Sequence, residues 1–209
     1  MMRNLLFVLP LLFAVTFARG GVYDDIVKAA AEGDTETVVH LVRRGMDVNT
    51  TDPSGMTLLM LASMNGNLPL TDFLVRSRAS VNKKNRFGDT ALLLASLKGH
   101  LPVVKRLVEG GAELEPTGWT PLIYAAFEGH ADIVRYLIDK GADVDGQANN
   151  GSTALMIAAR NGHREVVKAL LEADADPEIA NDDQATALSW AKAGNHSEIV
   201  KLLEEALGD

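Results

Sequence analysis

The sequence predicts an all-α fold, a solenoid of about six helix-turn-helix repeats from which β-turn fingers project. The first observation is a threonine that recurs at intervals of 33, 30, 33 and 33 residues, at Thr57, Thr90, Thr120, Thr153 and Thr186. The second is that each threonine opens a similar phrase, such as TPLIYAAFEGH and TALMIAARNGH. A fixed period near 33 residues indicates a stacked array rather than a globular domain with one central site.

Each repeat contains the signals of two short helices, in order. The threonine begins the first helix, and a small pair such as Ala125-Ala126 allows neighbouring helices to approach closely. A glycine then ends that helix, because glycine adopts the left-handed conformation at least cost. The second helix carries an apolar stripe, as in Val166-Val167 and Leu170-Leu171. A glycine such as Gly141 ends it, and a polar, turn-rich segment crosses to the next repeat.

These marks resemble the ankyrin repeat. The fourth repeat carries nearly all of them, at Thr120-Pro121-Leu122, Ala125-Ala126, Gly129-His130, Ile133-Val134, Leu137-Ile138 and Gly141-Ala142-Asp143-Val144. A less regular copy lies upstream, around Ala29-Ala30 and Asp47-Val48-Asn49. The resemblance covers residues 22–209, with approximate repeats at 22–51, 52–84, 85–115, 116–148, 149–181 and 182–209. It implies a binding surface in the concave groove formed by the turn tips and first helices.

The first twenty residues have the features of a secretory signal peptide, residues 1–20. A basic start at Arg3 precedes an apolar run over residues 5–18, and Ala18-Arg19-Gly20 forms a small-x-small cleavage site. The run is shorter than the ~20 residues that a membrane-spanning helix needs. An uncleaved anchor is the alternative. We therefore expect a periplasmic or secreted protein that is not inserted in the membrane after cleavage. A bacterial periplasm is favoured, and eukaryotic secretion stays open.

Composition narrows the classes of partner. The net charge is −8, and it becomes −10 without residues 1–20, which hold two arginines and no acidic residue. An acidic surface repels nucleic acid backbones and anionic lipid headgroups. The chain has no cysteine, which excludes disulfides, thiol catalysis and cysteine-based zinc sites. We expect a monomer with one folded domain, a protein partner and no cofactor.

The residues that suggest chemistry have structural explanations. His100, His130, His163 and His196 recur at one position of the repeat. Stacking would separate them by about 8–10 Å, whereas one zinc ion needs every ligand nitrogen ~2.0–2.1 Å away. A structural role is therefore favoured over a metal site. Acidic pairs such as Asp182-Asp183 fall on turns or on the last helix, where a solvated surface is the better interpretation. Known catalytic motifs are absent.

The chain departs from the repeat pattern at informative places. The connector from Gly111 to Thr120 is three residues shorter than that from Gly141 to Thr153, which predicts a clipped finger at residues 113–119. Arg78 and Asp174 stand where glycine ends the second helix, and Asn195 replaces a first-helix glycine. The family's Thr-Pro-Leu-His histidine is replaced throughout, by Met60, Leu93, Ile123, Met156 and Ser189.

Apolar residues in the groove give the candidate binding site. Positions beside the turn glycine and after the small pair should be polar if they face only water. In the second to fourth repeats these positions instead hold Met56, Met64, Phe87, Leu97, Trp119 and Phe127. The fifth repeat is polar there. Exposed apolar clusters mark interaction surfaces, and tryptophan is typical of interface hot spots. The alternative is that Leu97 and Phe127 fold onto the next repeat.

The sequence thus predicts an exported, non-catalytic module that binds a protein through its groove. One alternative is an accessory factor that stabilises an envelope or stress-defence enzyme. The other is an enzyme with an unrecognised site, which a close cluster of strongly shifted acids in the groove would favour.

Overall fold

A computed structural model describes the backbone of residues 11–208 and the side chains of residues 21–208. This part of the chain is all-helical, as predicted, and forms the predicted solenoid. Its helices are α1 (Leu11–Glu32), α2 (Thr35–Arg43), α3 (Leu58–Met64), α4 (Leu68–Arg76), α5 (Ala91–Leu97), α6 (Leu101–Glu109), α7 (Pro121–Glu128), α8 (Ala131–Asp139), α9 (Ala154–Asn161), α10 (Arg164–Leu171), α11 (Ala187–Ala193) and α12 (Ser197–Gly208).

The helices form two parallel layers. The inner layer contains α1, α3, α5, α7, α9 and α11, and the outer layer contains α2, α4, α6, α8, α10 and α12. Each helix packs against its partner in the same repeat and against its counterparts in adjacent repeats. One continuous apolar core runs between the layers, from Ile26 to Leu203. No single repeat buries its own apolar face, so stability depends on the stack.

The recurring threonine positions each inner helix after the first. Thr57, Thr90, Thr120, Thr153 and Thr186 each accept a hydrogen bond on the side-chain oxygen from the backbone N–H three residues on. Such a cap satisfies a donor that the helix itself leaves unpaired. The residue three positions on, where the family places histidine, is buried in four repeats, at Met60, Leu93, Ile123 and Met156. Ser189 is exposed instead and accepts a hydrogen bond from the Thr186 N–H.

Left-handed residues end the helices where the sequence places them. Gly99, Gly129 and Gly162 have φ of 77°, 85° and 80° after the inner helices. The substitutes for glycine adopt the same conformation, with φ of 63° at Arg78, 61° at Asp174 and 58° at Asn195. Gln184, at φ 58°, is a fourth left-handed residue that the sequence interpretation overlooked. It stands where Gly55, Gly88, Gly118 and Gly151 occupy the other fingers.

Four histidines connect the third to sixth repeats each to the repeat before it. Their Nε2 atoms lie within hydrogen-bond distance of carbonyl oxygens on the preceding inner helix: His100 to Met64 at 3.1 Å, His130 to Leu97 at 3.1 Å, His163 to Phe127 at 2.8 Å and His196 to Arg160 at 3.0 Å. A hydrogen bond of this kind contributes about 1 kcal/mol. The predicted structural role of these histidines is confirmed.

The first repeat differs at its start. Helix α1 already begins at Leu11, eleven residues before the predicted repeat boundary at residue 22. Asp24-Asp25 stand where later repeats have the capping threonine and its successor, so no finger interrupts the helix there. The predicted signal peptide, residues 1–20, lies outside the described side chains, and residues 1–10 lie outside the described backbone as well. In the described part of the chain, no helix combines the length and apolar character needed to cross a membrane.

Candidate protein-binding site

The site is built on the fingers, the five residues that precede each capping threonine. We name them finger two (52–56), finger three (85–89), finger four (115–119), finger five (148–152) and finger six (181–185). In fingers two, three, five and six the first N–H donates to the last carbonyl oxygen, at 2.9–3.0 Å. Asp52, Asn85 and Asn181 also accept backbone N–H bonds within their own finger on a side-chain oxygen. These four fingers are therefore closed turns.

Finger four is the exception. Among the described residues, its first N–H, that of Glu115, makes no backbone bond to the Trp119 carbonyl. The connectors before fingers two, three and five contain a reverse turn, closed by bonds such as Thr50 N–H to Asp47 O at 3.0 Å. Among the described residues, the shorter connector before finger four has no such bond. The predicted clipped finger is confirmed.

The clipped finger also interrupts hydrogen bonding between fingers. Arg86 of finger three donates its N–H to the Ser54 carbonyl of finger two at 3.1 Å. Asp182 of finger six donates in the same way to Asn150 of finger five at 3.1 Å. Pro116 occupies the donor position in finger four, and proline has no N–H. The Phe87 carbonyl of finger three therefore receives no such bond from finger four.

The space around the finger glycines shows how closely neighbouring fingers approach each other. A Cβ atom added to Gly55 would lie 3.4 Å from the Arg86 nitrogen, and one added to Gly151 would lie 3.1 Å from Asn181 Cα. Fingers two and three, and fingers five and six, are thus in close contact. A Cβ added to Gly88 of finger three would meet nothing within 4 Å. Fingers three and four therefore stand apart.

A cleft of about 310 Å3 fills the space between fingers three and four. Three aromatic side chains line it, together with one carboxylate, one ammonium group, one leucine and four small or polar residues. The lining residues are Lys84, Phe87, Gly88, Asp89, Leu93, Thr117, Gly118, Trp119, Tyr124 and Asn149. The Trp119 ring lies 5.2 Å from the Tyr124 ring and 5.7 Å from the Phe127 ring, centroid to centroid. These distances are those of attractive aromatic pairs.

The structure brings some of the six predicted binding residues together and separates others. Phe87 and Trp119 line the same cleft, and Phe127 packs edge-on against Trp119. Met56, Met64 and Leu97 are not among the residues that line the cleft. Phe87 is 79% exposed. The other five are half-buried, at Met56, Met64, Leu97, Trp119 and Phe127, so full exposure of the whole set is not what the structure gives.

Tyr124 belongs to the same surface, although the sequence interpretation did not include it. It occupies the inner-helix position that buried Leu61, Leu94 and Ile157 hold in the second, third and fifth repeats. Burial raises the pKa of its hydroxyl, and the negative charge of Asp89 raises that pKa further. The change from an aliphatic to an aromatic residue at this position was the available signal.

The groove beyond the fifth repeat supplies its own cation to an aromatic ring. The Arg160 guanidinium lies over the Trp190 ring, 4.8 Å from its centroid. Trp190 holds the same repeat position as Tyr124, four residues after the capping threonine. The position equivalent to Arg160 in the repeat before Tyr124 is Leu97, which carries no charge.

Two finger acids, Asp52 and Glu115, accept backbone hydrogen bonds within the array. Burial favours a higher pKa for Asp52, but hydrogen bonds from Ser54 and from the Met56 N–H outweigh it and lower the pKa. Partial burial raises the pKa of Glu115, and the Asp143 charge adds to the increase, although Glu115 accepts the Asp143 N–H at 3.1 Å. Within residues 21–208, no group of three histidine or acidic side chains is arranged to hold a metal ion.

Comparison with known families agrees with this architecture. A family model described as "Ankyrin repeats (3 copies)" matches the overlapping ranges 26–117, 59–148, 105–181 and 145–208. A search of curated proteins found no significant match to the sequence. The family matches together extend from residue 26 to residue 208, nearly the whole chain. The protein therefore belongs to the ankyrin repeat family, whose arrays are generally non-catalytic protein–protein interaction modules.

Proposed function

We propose that this protein is an exported, non-catalytic module that binds a protein partner in its concave groove, centred on the cleft between fingers three and four. The observation that carries the proposal is the coincidence of two features at one place. The finger hydrogen bonds are interrupted there, and Phe87, Trp119 and Tyr124 line the opening. An array that served only as a scaffold would have no need of either feature.

The exposure of Phe87 supports this location. A phenylalanine that is 79% exposed presents most of its apolar area to water, where it adds nothing to folding. Trp119 and Tyr124 beside it are half-buried and held by ring contacts, so they are fixed in position before a partner arrives. Rigid aromatic anchors lose little side-chain entropy on binding and are typical of interface hot spots.

Site-specific cross-linking tests the location. A photoreactive phenylalanine analogue replaces Phe87 in one variant and Leu207, 39% exposed on the last helix, in the control variant. Each full-length protein is irradiated in its native envelope extract. We expect a discrete cross-linked band from position 87 that is absent from position 207. Equal cross-linking at the two positions would place the interface elsewhere.

Substitution of the same residue gives an independent measurement. Phe87→Ser should weaken partner binding by ~2 kcal/mol or more, about 30-fold, because an exposed anchor is removed. Folding should be unaffected, since surface changes alter stability by about 0.5 kcal/mol or less. Leu207→Ser is the matched control and should retain full affinity. A Phe87→Ser variant that binds the isolated partner as tightly as the parent would contradict the proposal.

Export is the second part of the proposal, and it is supported by the sequence of residues 1–20. A basic start, a short apolar run and a small-x-small triplet occur in the order of a signal peptide. On this proposal the mature protein acts as a monomer in the periplasm or outside the cell, without membrane insertion.

A further inference from the structure

We propose that the cleft between fingers three and four takes a cationic side chain, an arginine or lysine, from an extended segment of the protein partner. This inference rests on the proposed function and names the chemistry of the occupant. It starts from the cleft lining, where three aromatic rings surround the opening and Asp89 supplies a carboxylate. A cation gains attraction from both kinds of group, because aromatic faces carry negative charge density.

The Asp89 carboxylate is positioned to take part. Its Oδ2 atom accepts a hydrogen bond from Asn85 Nδ2 at 3.0 Å, which holds the side chain at the cleft wall. Its Oδ1 atom accepts no hydrogen bond from the described residues. The effect of Asp89 on the pKa of the Tyr124 hydroxyl is in keeping with a carboxylate that acts electrostatically on this part of the cleft. A guanidinium or ammonium group entering between the rings would thus meet a carboxylate oxygen with a vacant lone pair.

The array contains an internal version of the same pair. Trp190 receives the Arg160 guanidinium at 4.8 Å, from the neighbouring repeat of its own chain. Tyr124 occupies the repeat position of Trp190, but Leu97 replaces the arginine. The repeat position that gives Trp190 its cation gives Tyr124 none, so a partner can supply a cation there. The chain charge of −8 favours the approach of a basic segment over that of an acidic one.

Lys84 brings a positive charge to the cleft lining, opposite in sign to that of Asp89. Its side chain is exposed and would repel a cationic occupant. Removing that charge should therefore strengthen the binding of a basic segment. If the occupant were acidic, the same substitution would weaken binding.

The extended form of the segment follows from the interrupted finger bonds. The Phe87 carbonyl, which lacks the donor that Ser54 and Asn150 receive, stands beside the cleft. An extended peptide presents N–H groups along its edge and can donate one to this oxygen while its side chain enters between the rings.

The test uses three peptides of glycine and serine that differ only in the central residue: arginine, citrulline or norleucine. Citrulline keeps the shape of arginine without its charge, and norleucine is purely apolar. Binding to the full chain is followed by the shift of the Trp119 indole N–H resonance. We expect the arginine peptide to bind about fivefold to tenfold more tightly than the citrulline peptide, as cation–aromatic and carboxylate contacts predict.

Substitutions in the cleft separate the contributions of Asp89 and Lys84 to peptide binding. Asp89→Asn should reduce the preference for arginine over citrulline by several-fold, and Lys84→Gln should increase the affinity for the arginine peptide. Asp183→Asn, in finger six, is the control and should change neither. Equal affinity for arginine and citrulline, tighter binding of norleucine, or no binding at the highest soluble concentrations would overturn the inference. These outcomes leave the proposed function standing as long as position 87 still cross-links to a protein. In that case the groove binds a protein, and only the cationic occupant is ruled out.

Discussion

The imidazole of His130 occupies the space that a side chain on Gly99 would need. A Cβ atom added to Gly99 would lie 2.6 Å from Cε1 of His130, while the Nε2 atom of that ring lies 3.1 Å from the Leu97 carbonyl oxygen. Gly66, Gly129 and Gly162 stand in the same relation to His100, His163 and His196. In the second to fifth repeats this glycine therefore has two roles: it adopts the left-handed conformation, and it leaves room for the histidine of the next repeat.

Gly99→Ala should therefore be more damaging than an alanine at a left-handed glycine with open space around it. Gly141→Ala is the matched comparison, since Gly141 has φ 90° and a Cβ there meets nothing within 4 Å. We expect Gly141→Ala to cost about 1 kcal/mol, the penalty of the left-handed conformation alone. Gly99→Ala should cost clearly more, because it also displaces the His130 ring. Urea denaturation of both variants measures the difference in the free energy of unfolding. Equal losses would show that Gly99 is not needed to make room for the His130 ring.

The same pair predicts a coupling energy. His130→Ala removes the ring and its bond to Leu97, with an expected loss of about 1–2 kcal/mol. Once the ring is absent, Gly99→Ala should cost only the conformational ~1 kcal/mol. The two substitutions should thus be less harmful together than the sum of their separate effects. Strictly additive losses in the double-mutant cycle would show that the His130 ring moves away from an alanine at position 99 without loss of stability.

Arg78 offers a stabilising change. It is exposed and left-handed, with φ 63°, so Arg78→Gly should raise stability by about 1 kcal/mol and the melting temperature by about 2–4 °C. Gln184→Gly should act in the same direction, since Gln184 has φ 58°. Arg135→Gly, at an exposed interior position of α8, is the control and should lower stability by about 1 kcal/mol. A neutral or lowered melting temperature for Arg78→Gly would mean that its side chain contributes a compensating interaction.

The pKa of Glu115 predicts a pH-dependent effect. Its pKa is raised above the ordinary value of 4.5, so the folded state binds the proton more tightly than the unfolded state. The ionised carboxylate therefore costs stability at pH values above its folded pKa, and the cost disappears well below 4.5. Glu115→Gln should raise the melting temperature at neutral pH and lose that advantage in acid. Glu113→Gln removes the same charge from the same connector and is the control.

Export predicts a shortened chain. Cleavage near Gly20 should leave a protein that begins around Gly21, which intact-mass measurement on native material detects. A mass that still includes residues 1–20, recovered with the membrane fraction, would indicate an uncleaved anchor instead.

The sequence was sufficient for the architecture because its signals are local. A capping threonine, a left-handed glycine and an apolar stripe each act within one repeat, and the period then dictates the stack. The short connector before Thr120 likewise pointed to the clipped finger. The exposure of groove side chains was less predictable. Trp119 and Phe127 bury part of their area against each other, an arrangement that depends on where a finger and a helix meet in space.

Tyr124 was overlooked for a related reason. Its position is buried in three other repeats, whereas Tyr124 is half-buried and lines the cleft. Gln184 was not predicted to be left-handed because glutamine, unlike glycine and asparagine, has no special preference for that conformation.

The missing finger bond at Pro116 also has a mechanical consequence. Fingers two and three are joined by a backbone bond, and so are fingers five and six, whereas helix packing and the His130 bond continue unbroken beneath finger four. Among the described residues, finger four makes no backbone bond to either neighbouring finger, so it forms a joint between two hydrogen-bonded pairs of fingers. The helical layers continue behind this joint without a break. Bending at the joint breaks no backbone bond between fingers, so we expect the span between the two pairs to adjust to the width of a bound chain while the repeats stay stacked.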